Sequence, residues 1–116
     1  MAAKYVISKT SNGKFHFVLK AGNGEVILSS QMYVDLDGAK KGIASVKENG
    51  PKDAQFQKLS STKGEPYFNL VAANAQVIGK SEMYSSERAR DNGIESVKKN
   101  AAEAAVDDRS AEKPAG

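Results

Sequence analysis

The side chains available for chemistry are few. There is one histidine, His16, and no cysteine. That excludes disulfide scaffolds, thiolate metal sites and thiol nucleophiles, and one histidine cannot build a histidine metal cluster within one chain. A Ser-His-Asp arrangement would need His16 as its base. Ser29 and Ser30 are near in sequence, but His16 falls on the less apolar face of a regular strand, where a solvated histidine is the better reading. Two carboxylate pairs occur, Asp35/Asp37 and Asp107/Asp108. The first pair opens a helix, where acids answer exposed N–H groups and the helix dipole. The second is adjacent in an extended segment, so its members point to opposite faces. Gly22-Asn23-Gly24 resembles a phosphate-cradling loop only superficially, because such a loop must open a helix and this one joins two strands. No catalytic, metal-binding or cofactor-binding residue is expected, and the chain reads as non-enzymatic.

The elements that would position these residues come in duplicate. Residues 5–50 and 56–101 align without a gap at an offset of 51, with 16 of 46 positions identical. Each copy is marginal in size for folding alone, so the two are expected to share one core. In copy one the pattern predicts strands at Tyr5–Thr10, around Phe15–Ala21 and at Glu25–Ser30, then a helix over Leu36–Glu48. Copy two repeats them at Phe56–Ser61, around Pro66–Ala72 with Pro66 at the strand start, at Gln76–Ser81 and at Glu87–Lys99. Asp35 and Ser86 are the expected N-caps. Asn23 and Asn74 are the expected left-handed turn positions. Gly42 and Gly93 recur in the middle of the helix, which predicts a close approach of helix backbone to sheet. Met32-Tyr33 and Met83-Tyr84 recur between strand three and the helix, and read as a packed joint fixing the helix entry angle. The fold class is α+β, a single pseudo-two-fold domain with two helices on one face of the sheet.

The ordered pattern Gly-x-x-x-Phe-x-Leu-x-Ala-x-Asn-x-[Glu/Gln]-Val-Ile, then Met-Tyr, then Gly-Ile-x-Ser-Val-Lys-x-Asn occurs in both copies. It resembles the YegP-like family of small bacterial proteins of unknown function, over residues 5 to about 108. The resemblance implies β-β-β-α-β per copy in one antiparallel sheet, with the last strand exchanged between copies. It implies a short final strand near 104–108; residues 110–116, with Pro114 and small or charged side chains, read by composition as a disordered tail. It also implies that residues 1–58 alone would form a homodimer which the fused chain mimics, so that the full chain is a monomer. This sequence departs from the pattern at Pro66, Gly79 and Arg90, which bears on local packing.

Two helices cover one sheet face, and the other would carry His16, Val18, Lys20, Tyr67, Asn69 and Val71. Such a mixed basic, polar and aromatic surface is a candidate binding face, as in sheet-based RNA readers. The net charge is +3, and 14 of the 17 bases are scattered lysines, a pattern closer to a solvated surface than to an arginine-rich nucleic-acid footprint. The leading functional reading is a non-enzymatic binding or interaction module of the bacterial cytoplasm with a protein partner. A weak nucleic-acid binder using the open sheet face is one alternative; a small-molecule or enzymatic site at the seam between repeats is another. No apolar run approaches a membrane span, and Met1–Tyr5 lacks the apolar segment of a signal peptide.

Overall fold

The period-two and helical patterns of each repeat become three strands and a helix in the computed structural model, which describes residues 3–110. Repeat one contains β1 (Lys4–Lys9), β2 (Phe15–Lys20), β3 (Val26–Ser29) and α1 (Leu36–Asn49). Repeat two contains β4 (Phe56–Ser60), β5 (Pro66–Val71), β6 (Val77–Lys80) and α2 (Glu87–Asn100), and β7 (Ala105–Asp108) follows it. The tail expected at 110–116 lies outside the described residues from position 111 onward.

All strands join one sheet in the order β4-β5-β6-β3-β2-β1-β7. β3 meets β6 at its centre through Ser29 and Lys80, which are equivalent positions of the two repeats. A pseudo-two-fold axis therefore runs between them. The sheet is antiparallel over six strands and mixed through β7, which runs parallel to β1 with Tyr5 opposite Val106. The exchange is one-sided. Repeat two donates β7 to repeat one, whereas Ala54 and Gln55, which align with Ala105 and Val106, form a 3-10 turn (Asp53–Gln55) leading straight into β4. β4 is thus left as an open edge.

Burial follows the alternation. Tyr5, Ile7, Phe17, Leu19, Phe68 and Leu70 point toward the helices and are fully buried; each such side chain contributes about 1.5–3 kcal/mol. An aromatic triad repeats in each half. Tyr5 meets Phe17 edge-on at 6.0 Å, and Phe17 stacks on Tyr33 at 6.1 Å. Phe56 meets Phe68 at 5.6 Å, and Phe68 stacks on Tyr84 at 6.3 Å. The tyrosines of the repeated Met-Tyr pairs are therefore the joint, while Met32 and Met83 are exposed. Gly42 and Gly93 sit against these tyrosines: an added Cβ would lie 2.7 Å from Tyr33 Cζ and 2.8 Å from Tyr84 Cζ. The close approach is to the joint, with Phe17 and Phe68 of the sheet behind it.

Local chemistry accounts for the ends of the elements. Asp35 Oδ1 accepts from the Gly38 N–H at 2.7 Å, and Ser86 Oγ from the Ala89 N–H at 3.1 Å, as expected of N-caps. Pro66 opens β5 without an N–H. Phe15 exchanges two backbone bonds with Tyr33, whereas Pro66 can only accept from the Tyr84 N–H, at 2.8 Å. The left-handed turn residue is not the expected asparagine. It falls one position later, at Gly24 (φ 84°) and Ala75 (φ 68°). Asn23 and Asn74 instead accept through their side chains from the N–H groups of Glu25 and Gln76, at 3.0 and 3.1 Å. This side-chain bond closes the loop, and the residue enclosed by it takes the positive φ.

Candidate functional site

The candidate face is the side of the sheet turned away from α1 and α2, and all six residues expected there lie on it. They do not form one patch. His16, Val18 and Lys20 are on β2 and Tyr67, Asn69 and Val71 on β5, with β3 and β6 between them. Three strand spacings separate the groups by about 14 Å. The bridge between them is Ser29 and Lys80. Lys80 leans over the Tyr67 ring, with Nζ 5.1 Å from its centre. Val6 and Val71 are buried on this face, on β1 and β5 toward its two sides, so those parts are more apolar than the alternation suggests. His16 Nδ1 and Asn69 Oδ1 are enclosed without a hydrogen-bond partner. Ser8 is the residue directly opposite His16 on β1.

The carboxylate pairs are distributed as their spacing requires. Asp35 caps α1, and Asp37 pairs with Lys41 at 3.4 Å on the exposed helix surface. Asp107 faces the open side, where the Arg109 hydrogen bond and the nearby Lys4 ammonium hold its carboxyl below the usual range. Asp108 turns the other way and accepts from the Ser110 N–H and hydroxyl, at 2.9 and 2.6 Å, which lowers its carboxyl likewise. Among the described residues no group of three His, Cys, Asp or Glu side chains could hold a metal ion.

A concavity that repeat arithmetic alone does not reveal lies at the seam. α1 of repeat one and β7 of repeat two enclose a groove of about 430 Å³ lined by Lys40, Ile43, Ala44, Lys47, Val106 and Asp108. The equivalent space beside α2 and β4 is half that size, about 210 Å³, with Asp91 in place of Lys40 and Glu95 in place of Ala44. The i, i+4, i+7 spacing of Lys40, Ala44 and Lys47 was visible in the sequence. Their role as a groove wall depends on β7 crossing to the other repeat.

The fold and its two copies define a class of small tandem-repeat α+β proteins. A family model described as a domain of unknown function, DUF1508, matches twice, at residues 10–56 and 61–108. An uncharacterised UPF0339 protein of Acinetobacter baylyi is 52% identical over 93% of this chain and 97% of its own length. The UPF0339 protein YegP of Escherichia coli is 48% identical over 93% of this chain and 98% of its own. Two solution NMR structures share the fold. That of a UPF0339 protein from Shewanella oneidensis has a TM-score of 0.90 at 52% identity, covering 97% of this chain and 95% of that one. That of Escherichia coli YegP, described as of unknown function, has a TM-score of 0.91 at 46% identity, covering 97% of each. The chain belongs to the DUF1508 family, among its two-copy UPF0339/YegP members, a family without an assigned activity.

Proposed function

We propose that the protein is a non-enzymatic interaction module of the bacterial cytoplasm that takes an extended segment of a protein partner onto its β4 edge. The observation that carries this reading is the unequal completion of the two-fold arrangement. β1 is paired on both sides, by β2 and β7, whereas β4 is paired only by β5. An unpaired edge presents a row of backbone donors and acceptors that an incoming strand can satisfy. The side chains of β4 suit regulated rather than indiscriminate pairing. Where β1 has Val6 and Ile7, β4 has Gln57 and Lys58, both exposed, and such residues discourage edge-to-edge aggregation. A partner strand must therefore supply more than backbone. The bacterial relatives are in keeping with the setting, and no helix of the described residues is long and apolar enough to cross a membrane.

The test is affinity capture with the whole chain as bait, followed by hydrogen-exchange mapping of the captured complex. Protection confined to Phe56–Ser60 supports the reading. Salt-sensitive protection over His16, Lys20 and Tyr67 with nucleic acid in the complex would replace it by sheet-face nucleic-acid binding. A robust turnover abolished by His16→Ala, with stability intact, would overturn the non-enzymatic part.

A further inference from the structure

Beyond that edge, we propose that the α1–β7 groove is a binding site for a small amphipathic carboxylate: an apolar chain or ring ended by one negative charge. The floor is apolar, formed by Ile43, Ala44 and Val106, and Val106 remains 45% exposed there. About 430 Å³ lies within the range of ordinary small-molecule sites. Lys40 and Lys47 are seven residues apart on one helix, so their backbone positions are separated by about 10 Å along its axis. That matches a body of roughly six to eight carbons.

The charges at the two ends are not equivalent. Asp108 shares the Lys40 end, where its carboxylate is already occupied by Ser110. Lys47 stands at the other end with its Nζ 5.7 Å from the centre of the Tyr5 ring, which holds the ammonium beside the groove. Neither lysine belongs to an ion pair among the described residues. The anion therefore belongs at Lys47, because the Asp108 carboxylate offsets the charge of Lys40 at the other end. A single ammonium without a backbone nest or arginine fork suits a monovalent carboxylate better than a phosphate.

Repeat two supplies an internal control. The counterpart of Lys47 is Lys98, which is engaged by Asp53 at 3.2 Å and Glu95 at 3.3 Å. Asp91 replaces Lys40, and Glu95 stands where Ala44 leaves the floor apolar. The space beside α2, smaller, reversed in charge and without a counterpart of β7, should not take an anion.

The experiment is a titration of the full ¹⁵N-labelled chain with octanoate, followed by NMR. Saturable shifts centred on Ile43, Ala44 and Val106, without matching shifts at Ile94 and Glu95, are expected. Lys47→Gln should weaken binding roughly twofold to fivefold, the effect of losing one partly exposed charged contact, and Lys47→Arg should restore most of it. Ala44→Glu, an exposed helix position that copies Glu95, should abolish binding with the spectrum otherwise unchanged. Absence of saturable shifts at the groove, or binding that is equally strong for octan-1-ol and indifferent to Lys47→Gln, would overturn the proposal. None of these outcomes bears on β4, so the edge reading is tested separately.

Discussion

Repeat one and repeat two share a backbone plan but differ wherever one copy touches the other. At the pseudo-two-fold axis, Leu28 of β3 is fully buried and faces its own counterpart, Gly79 of β6. A Cβ added at Gly79 would lie 2.6 Å from Leu28 Cδ2. At the helix ends, Gly50 faces its counterpart Ala101, and a Cβ at Gly50 would lie 2.5 Å from Ala101 Cβ. In each self-contact one copy supplies the knob and the other the hole. A true homodimer must place identical residues on its axis. A fused duplication is free of that constraint, and this chain has used the freedom at both contacts. The outer edges differ in the same sense, since Tyr5 and Ile7 are fully buried beside β7 while Lys58 is exposed on the open β4.

The largest expected effect comes from removing the element that makes the edges unequal. Truncation after Asn100 deletes β7 together with the buried Ala101 and Ala104. It also removes the Ala101 carbonyl, which accepts the Tyr5 hydroxyl at 2.5 Å. Exposing Tyr5 and Ile7 should cost about 3–5 kcal/mol, a large share of a small domain's stability. Urea denaturation of this truncation against a chain ending at Ser110 measures it. Equal midpoints would mean that β7 is an ornament and the edges are equivalent.

The axis can be tested by exchange. Leu28→Gly should empty a buried site and Gly79→Leu should overfill one, each lowering stability by roughly 2–4 kcal/mol. The double variant moves the knob to the other copy and should recover a substantial part of the sum of the losses, a coupling that a double-mutant cycle detects. Strict additivity would refute the self-contact account. The same geometry sharpens the expectation for residues 1–58. Their homodimer would set Leu28 against Leu28, so they should pair preferentially with separately produced residues 55–116. Analytical ultracentrifugation of each half and of the mixture decides; a stable 1–58 homodimer that ignores the other half would overturn the preference.

The helix glycines compare the two joints. Gly42→Ala would place its methyl 3.0 Å from Phe17 Cε2, while Gly93→Ala would meet Phe68 Cε2 at 3.3 Å. Both should destabilise by about 1–3 kcal/mol, the first more than the second. Raised denaturation midpoints in both, as on an exposed helix, would show that the tyrosines move aside freely.

What could be read from the sequence and what could not divide along this boundary between local and inter-copy structure. The strands, the helix caps at Asp35 and Ser86 and the packing role of Gly42 and Gly93 follow from period, capping chemistry and recurrence, all properties of a single copy. The six candidate residues were placed on the correct face by alternation. Their division into two patches depends on β3 and β6 meeting at the centre of the sheet, which no single copy encodes. The parallel direction of β7, its one-sided exchange and the groove beside Lys47 arise from contacts between residues about 60 or more positions apart. Gly79 stands in the sequence only as a departure from the family pattern, and its meeting with Leu28 on the axis gives that departure a reason.

The smallest effect separates the two copies at a turn. Gly24 adopts φ 84° and Ala75 adopts φ 68°, so equivalent loops hold the same left-handed conformation with different residues. For an L-residue that conformation costs roughly 1–2 kcal/mol through the approach of Cβ to the carbonyl oxygen. Glycine avoids the cost but gives the unfolded chain more freedom, which takes back about 0.4–1 kcal/mol. Ala75→Gly should therefore stabilise by about 0.5–1 kcal/mol, and Gly24→Ala should destabilise by a similar amount. No atom lies within 4 Å of a Cβ built at Gly24, so packing does not confuse the comparison. Chemical denaturation with an unchanged slope measures both variants. A lowered midpoint for Ala75→Gly would show that the second loop holds its alanine without strain, and that the two turns differ in more than the residue they carry.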